Sequence, residues 1–162
     1  IRDQPLSRGL GDVYKRQLEN LQVMMGYAYL DAKYENSPAF KNGSAPMNTP
    51  KHTANGWIQY RFDKGVLKRL SAGIGVYFVG KRPVNDFAIK PDGHGSMTNE
   101  KPFDMPGYTT INAQLAYSIH KFTARVYLNN LFDALGYNSY YRGGYINQID
   151  PRNFSAVISY HF

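Results

Sequence analysis

The residues of this chain that could do chemistry form no complete catalytic or cofactor-binding pattern. Gly73-Ile-Gly75 begins like a dinucleotide fingerprint, but no third glycine follows at the required spacing and no helix is expected there. There is no cysteine, which excludes disulfides, thiolate chemistry and cysteine-based metal sites. No Ser/His or carboxylate constellation falls on one predicted strand face. The four histidines lie in separate segments with no i,i+4 pair: His52, His94, His120 and His161. We therefore expect no enzyme activity, no catalytic residue, no metal site and no resident cofactor.

A polar cluster at Asn129, Asn130 and Asp133 also invites a catalytic interpretation. Asn and Asp side chains bond readily to nearby backbone groups, however, and they are typical of turns. We therefore predict that this cluster caps a junction between a strand and a loop.

The elements that must position any functional residue are extended strands, and the clearest is Arg152 to Phe162. Side chains alternate across a strand with a period of two. One side of this segment is apolar and aromatic: Phe154, Ala156, Ile158, Tyr160 and Phe162. The other side is mostly polar: Asn153, Ser155, Val157, Ser159 and His161. A strand with this pattern, ending on an aromatic residue, suits a transmembrane β-barrel.

Earlier segments share this alternation and are separated by long and short connections in turn. The predicted strands are Leu21 to Asp31, His52 to Phe62, Arg69 to Gly80, Tyr108 to Ile119 and Phe122 to Phe132. A long polar loop follows the first, third and fifth of them, and short turns follow the second and fourth. Bacterial barrels have short periplasmic turns and longer extracellular loops, so we expect every long loop to lie outside the cell.

Composition agrees with an all-β membrane protein. Aromatic residues are 15% of the chain, with fourteen Tyr, a residue whose ring packs in apolar surroundings while its hydroxyl stays hydrated at a membrane interface. Hydrophobic residues are 43% and mean hydropathy is negative, which excludes a helical membrane protein. At 162 residues, a single domain is expected.

The predicted sheet has an apolar face and a polar face. We expect these residues on the convex, lipid-facing side: Ile74, Phe78, Ile111, Leu115, Val126, Leu128, Ile158 and Tyr160. We expect these on the concave side: Asn112, Gln114, Arg125, Asn129 and Ser159. A charged residue such as Arg125 suits a water-filled or plugged lumen better than a dry core. The alternative is a soluble ligand-binding β-barrel, which would pack the apolar faces inside.

The number of predicted strands also has a consequence for the sheet edges. Six neighbouring strands with ordinary twist cannot close around a lumen sized for many more. We therefore expect an up-and-down antiparallel sheet that stays open, with the strand at Leu21 and the strand ending at Phe162 as unpaired edges.

The first seventeen residues need a separate interpretation. DVYKRQ, Asp12 to Gln17, resembles the translation of an adapter used in preparing DNA sequencing libraries. The residues before it have no periodicity and none of the features of a signal peptide. We expect residues 1–17 to be a non-native segment; a natural disordered arm is the alternative.

Several segments together resemble the closing strands of TonB-dependent outer-membrane receptors, and the siderophore-receptor branch in particular. They are PKHTANGWIQYRF (50–62), VYFVGKRPVNDF (76–87), MPGYTTINAQLAYSI (105–119), LNNLFD (128–133) and DPRNFSAVISYHF (150–162). The resemblance implies that residues 18–162 are the last six strands of a 22-strand barrel. It implies import of ferric chelates, energised by TonB through an N-terminal region that is missing here. A vitamin or sugar substrate stays open.

The resemblance also implies roles for individual residues. Phe162, with Tyr160 two residues before it, resembles the signal that the barrel-assembly machinery reads. Candidate contacts to a ferric siderophore lie in the long loops: Tyr137, Tyr140, Tyr141, Arg142, Tyr145, Phe87 and Phe103. Tyr rings supply rigid contact area with a hydroxyl donor, and Arg supplies a charge-assisted donor. Each Tyr could instead be a girdle or loop-packing residue.

The net charge of +7 does not indicate a nucleic-acid partner. Lys and Arg are spread through turns and loops, with no patch interleaved with aromatic residues as a stacking platform requires. Lys81 and Arg82 are expected at the outer rim, where basic residues can pair with lipopolysaccharide phosphates among the outer-membrane lipids. Ordinary solvated charges are the alternative.

Overall fold

The computed structural model describes residues 6–17, 19–84, 89–91, 97–99, 103–141 and 145–162. Its regular elements are β-strands: β1 Leu6–Gln17, β2 Leu21–Lys33, β3 His52–Arg61, β4 Leu70–Val79, β5 Arg82–Pro83, β6 Ile89–Pro91, β7 Met97–Asn99, β8 Asp104–Met105, β9 Tyr108–Ile119, β10 Phe122–Asn129, β11 Tyr137–Tyr141, β12 Tyr145–Gln148 and β13 Asn153–Tyr160. Within these ranges, no helix is long and apolar enough to cross a membrane.

The long strands form one antiparallel sheet of seven strands in the order β1-β2-β3-β4-β9-β10-β13. The six predicted strands are all present and follow one another in sequence, so the predicted up-and-down architecture is confirmed. Their ends move by a few residues. The largest change is at β10, which ends at Asn129 rather than Phe132 because Asn130 takes a positive φ of 49° and turns the chain out of the strand.

The prediction that the strand at Leu21 is an unpaired edge was wrong. β1 pairs with β2 along its whole length, from Leu6 opposite Lys33 to Gln17 opposite Gln22. This pairing satisfies backbone N–H and C=O groups of β2 that an open edge would leave bare. In the described residues β13 pairs with β10 alone, so the sheet stays open with β1 and β13 as its outermost strands. Whether residues 1–17 are native stays a prediction.

The register joins the apolar residues of neighbouring strands into one face. Leu115 of β9 lies opposite Ala72 of β4 and Val126 of β10, and Val126 lies opposite Ala156 of β13. Every residue predicted for the lipid-facing side belongs to this face, and every residue predicted for the lumen belongs to the other. We call them the apolar face and the polar face.

Among the residues that the structure describes, none covers the apolar face. Ile74 is 51% exposed and Ile158 is 77% exposed, values typical of surface side chains although both lie in mid-strand. A soluble barrel would pack these residues inside, so the structure does not support that alternative. Two cavities, of about 360 and 250 Å³, open mainly on the polar face.

Aromatic residues border the apolar face at both ends of the strands. At the end with short turns lie Tyr60, Tyr117, Phe122 and Tyr160, and at the end with long loops lie Tyr27, Tyr29, Phe78 and Phe154. Between them the face carries aliphatic or small residues. Amphipathic rings favour a membrane interface and aliphatic side chains favour the hydrocarbon, so this face has the pattern of a transmembrane barrel wall.

Glycines on the polar face of β4 make room for a large side chain on β3. Trp57 lies opposite Gly75, and a Cβ atom placed on Gly73 or Gly75 would come within 2.4 Å of the Trp57 ring. Gly73 and Gly75 therefore leave room for the Trp57 ring on the polar face.

Candidate functional site

The long loops lie at one end of the sheet, which we call the outer rim. The first loop is residues 34–51, the second is 80–107 and the third is 130–152. Hydrogen bonds join them: Asn48 of the first loop donates its backbone N–H to Pro83 O of the second at 2.9 Å, and its side chain bonds to Tyr140 of the third. The described parts of the loops are therefore connected rather than independent.

The third loop contains a β-hairpin, made of β11 and β12, in a segment that the sequence analysis predicted to be an irregular loop. Its register pairs Tyr141 with Tyr145 and Tyr140 with Ile146, with an irregularity between Tyr137 and Ser139. The hairpin brings together the four Tyr candidates of this loop. Tyr141 and Tyr145 share one side and are 57% and 73% exposed, while Tyr137 and Tyr140 are half-buried. Two of the four thus present most of their ring to solvent.

Of the other predicted ligand contacts, the structure describes Phe103. Phe103 of the second loop is 63% exposed, and its carbonyl accepts the Val84 N–H at 2.9 Å. Phe87 and Arg142 lie outside the described residues. Their roles stay predictions, as do those of the Tyr residues.

Asn130 fixes both ends of the third loop. It is 4% exposed; its side-chain Nδ2 donates to Ala134 O at 3.0 Å and to Asp150 O at 3.1 Å, and its Oδ1 accepts the Ala134 N–H at 2.9 Å. Asp133 accepts the Arg152 N–H through Oδ1 at 2.8 Å. The prediction that this polar cluster caps a strand-to-loop junction is confirmed for Asn130 and Asp133, whose side chains bond to backbone, whereas Asn129 Nδ2 donates to the side chain of Asn153 at 2.9 Å.

The expectation that Arg82 is available to lipopolysaccharide phosphates was wrong. Arg82 is 5% exposed, its guanidinium donates to Tyr137 O, and its Cζ lies 5.5 Å from the centre of the Tyr108 ring. A buried guanidinium must find acceptors within the protein, because an unpaired buried charge is costly. Arg82 therefore joins the second loop to the third and does not face the lipid headgroups.

Three ion pairs join other charged side chains at the outer rim in the part of the chain that the structure describes. Asp31 accepts from Lys33 at 2.9 Å and lies 3.3 Å from Lys51, and Lys81 lies 3.5 Å from Asp104. These contacts are partly exposed, so each contributes little to stability. No group of three or more His, Cys, Asp or Glu side chains that could hold a metal ion is found among the described residues.

The end of the chain lies at the end of the strands opposite the outer rim, beside the short turn at residues 120–121. His161 donates its backbone N–H to Lys121 O at 2.9 Å. Tyr160 packs against Phe122 at 4.8 Å and edge-on against Phe162 at 5.1 Å between ring centres. Phe162 itself is fully exposed. Both residues of the predicted assembly signal thus lie on the aromatic border, far along the strands from the loops.

The turn between β3 and β4, at the same end of the strands, contains Asp63, whose carboxylate accepts a hydrogen bond from a side chain. Asn20 Nδ2 donates to Asp63 Oδ2 at 2.9 Å, and this hydrogen bond lowers the pKa of Asp63 below its ordinary value. The bond joins the short connection before β2 to the turn after β3.

Sequence reasoning missed the contacts that organise the outer rim. Asn48 carries no periodic signal, and the partners of Asn48 and Arg82 lie far away in the chain. The positive φ of 61° at Asn48 is consistent with the tolerance of Asn for left-handed backbone, but it does not identify a partner.

Comparison with known proteins gives a consistent result. The family model described as TonB dependent receptor-like, beta-barrel, matches residues 9–131. The metal-pseudopaline receptor CntO of Pseudomonas aeruginosa is 28% identical over 158 residues, which are 96% of this chain and 21% of that protein. The ferrioxamine receptor of Yersinia enterocolitica is 24% identical over 160 residues, with the same coverage. The chain spans about a fifth of the length of these curated relatives.

Solved structures share the fold. The FpvAI receptor in its complex with pyocin S2 superposes with a TM-score of 0.74 at 22% identity, covering 95% of this chain and 19% of that one. The siderophore receptor PiuA from Acinetobacter baumannii superposes with a TM-score of 0.69 at 21% identity, covering 96% and 22%. At these identities the likeness establishes the fold alone.

Proposed function

We propose, since this chain belongs to the TonB-dependent receptor β-barrel family, that it is the C-terminal part of an outer-membrane receptor that imports ferric siderophores. The observation that carries the membrane part of this proposal is the uncovered apolar face, bordered by aromatic residues at both strand ends. The receptor acts by transport, energised by TonB. The ferric siderophore is the cargo and not a resident cofactor.

The choice of a ferric siderophore rests on two kinds of support. The curated relatives are named as receptors for metal-pseudopaline and for ferrioxamine. The third loop presents Tyr141 and Tyr145 on one side of a hairpin at the end of the barrel that would face outward. Exposed Tyr rings offer rigid contact area and hydroxyl donors to the oxygen-rich surface of a ferric chelate. We keep Tyr137, Tyr140, Arg142, Phe87 and Phe103 in the same proposal.

Partners at the two ends of the barrel follow from the same interpretation. The exposed Phe162 and its neighbour Tyr160 would be read by the barrel-assembly machinery at the periplasmic edge. The apolar face would contact outer-membrane lipid, and the partly exposed Lys51 is better placed for a lipopolysaccharide phosphate than Arg82.

The test uses the full-length receptor in a strain that lacks other siderophore receptors. Uptake of radiolabelled iron is measured with ferric hydroxamate, catecholate and mixed-ligand chelates, and labelled cobalamin and maltodextrin test the alternative substrates. Replacing both Tyr141 and Tyr145 by Ala should weaken chelate binding while surface-exposed receptor stays normal. Deleting Phe162 should do the reverse, reducing the amount of assembled receptor without changing the affinity of what remains. Uptake of cobalamin or a sugar without uptake of any ferric chelate would overturn the substrate assignment.

A further inference from the structure

Asn48 contacts both of the other loops of the outer rim at once. Its backbone N–H donates to Pro83 O in the second loop at 2.9 Å. Its side-chain Nδ2 donates to Tyr140 O at 2.8 Å, and its Oδ1 accepts the Tyr140 N–H at 2.8 Å. The two residues are 92 positions apart, so this contact joins the first loop to the third loop, which no strand pairing in the described residues does.

The Asn48 amide takes the place of a neighbouring strand. In an antiparallel hairpin, the N–H and C=O of one residue point to the same side of its strand. Tyr140 turns both groups toward Asn48, whose carboxamide offers one acceptor and one donor in the matching arrangement. An ionised Asp offers acceptors only, so it could not supply the donor half of this pairing.

Arg82 gives β11 a second anchor three positions earlier, at Tyr137 O. Its guanidinium is buried against the Tyr108 ring at the foot of the third loop. Anchors at Tyr137 and Tyr140 fix both the position and the direction of β11. We call Asn48 and Arg82 together the clasp.

We propose that Asn48 is a positioning residue for ligand binding: through the clasp it holds the hairpin of the third loop against the first and second loops. The exposed Tyr141 and Tyr145 are thereby set in place before a ligand arrives. If the hairpin had to be ordered during binding, the apparent affinity would be lower, because it is proportional to the fraction of receptor in which the hairpin is already in place. The ligand-binding part of this inference rests on the proposed function, whereas the clasp itself does not.

The experiment compares two substitutions in the full-length receptor. Asn48→Gly removes the side chain while permitting the positive φ of 61°, so it tests the paired bonds and not backbone strain. The matched control is Asn36→Gly in the same loop, at a φ of 53°, because no bond of the Asn36 side chain to the third loop is found in the described residues. Asn48→Asp, which keeps only the acceptor, is a second variant of the same size.

Hydrogen exchange followed by mass spectrometry reports on the clasp directly, because the Tyr140 N–H is one of its bonded groups. Two lost hydrogen bonds should speed exchange of the peptide that contains Tyr140 by roughly 5- to 100-fold in Asn48→Gly, with a smaller increase in Asn48→Asp. Asn36→Gly should exchange like the wild type. Binding of the ferric chelate that the wild type takes up should weaken several-fold in Asn48→Gly, with the maximal uptake rate unchanged.

Each outcome decides the proposal. Faster exchange at Tyr140 together with weaker chelate binding supports it. Unchanged exchange in Asn48→Gly overturns it, whatever the affinity. Faster exchange with wild-type affinity overturns the positioning role. If the wild-type receptor binds no ferric chelate, the proposed function fails, and exchange at Tyr140 still decides whether the clasp exists.

Discussion

Replacing Ile74 by Lys tests the membrane interpretation at one position of the apolar face. Ile74 lies in β4 between Ile58 of β3 and Ala113 of β9 and is 51% exposed. If the face meets lipid, the new ammonium group must enter hydrocarbon. If the face met water, the same change would be nearly neutral.

The position of Ile74 along β4 sets the size of the effect. It is the fifth residue of a ten-residue strand. With a rise of about 3.3 Å per residue and a tilt of about 40°, Ile74 lies about 10 Å above the turn end of a band roughly 25 Å tall. This is close to the midplane, where a lysine facing lipid costs about 2–4 kcal/mol. Ile74→Ala removes only apolar area and should cost about 1 kcal/mol.

The matched control is a lysine at similar height on the polar face. Gln114 pairs with Gly73, the neighbour of Ile74, and Gln114→Lys should change stability by less than about 1 kcal/mol because its side chain faces the lumen. Denaturant titration of the full-length receptor refolded into lipid vesicles gives both free energies of unfolding. Equal costs for the two lysines, or a larger cost at Gln114, would refute the assignment of the apolar face to lipid.

Three further changes test contacts on the polar face, at the loop junction and at the turn. Asn130→Gly keeps the positive φ but removes three side-chain bonds, so the free energy of unfolding should fall by about 2–4 kcal/mol in the same titration. Gly73→Ala should cost about 1–3 kcal/mol by overpacking the Trp57 ring, and most of that cost should disappear when Trp57 is also Ala. Asn20→Ala should raise the pKa of Asp63, measured by carboxylate NMR in detergent. Because the folded pKa is lowered, this bond stabilises the fold above the unfolded pKa of Asp63 and is lost as pH falls through the folded pKa, so the variant should lose less stability in acid.

The sheet could be predicted from the sequence because the pattern that defines each strand lies within a few consecutive residues. Alternation of apolar and polar residues with a period of two defines a strand and assigns each residue to a face, as at Tyr108 to Ile119, where predicted and observed ends agree. Tight turns are equally local: His120 adopts a positive φ of 52° in the predicted two-residue connection.

The outer rim could be predicted only in part, because its contacts are not local. The Tyr residues of the third loop were chosen by residue type, which says nothing about whether Tyr140 turns inward or Tyr145 outward. Arg82 was predicted at the outer rim, facing lipopolysaccharide phosphates or solvent, because burial of its guanidinium depends on Tyr137 and Tyr108, which are distant in sequence. Pairing of β1 with β2 was missed because residues 6–17 have no alternation to signal a strand.

The Asn130 side chain donates hydrogen bonds to Ala134 O and Asp150 O, so the start and the end of the third loop are held together at this one residue. The part of the loop between Ala134 and Asp150 can become longer without disturbing the register of β10 and β13, since each doubling of loop length adds only about 0.6 kcal/mol of closure entropy. The third loop can therefore change in length without altering the wall, while its bonds to Asn48 and Arg82 still tie it to the first and second loops. Grafting the corresponding loop of another receptor between residues 135 and 149 should leave the wall intact, and it should transfer recognition only when the residues at positions 48 and 82 are exchanged with it.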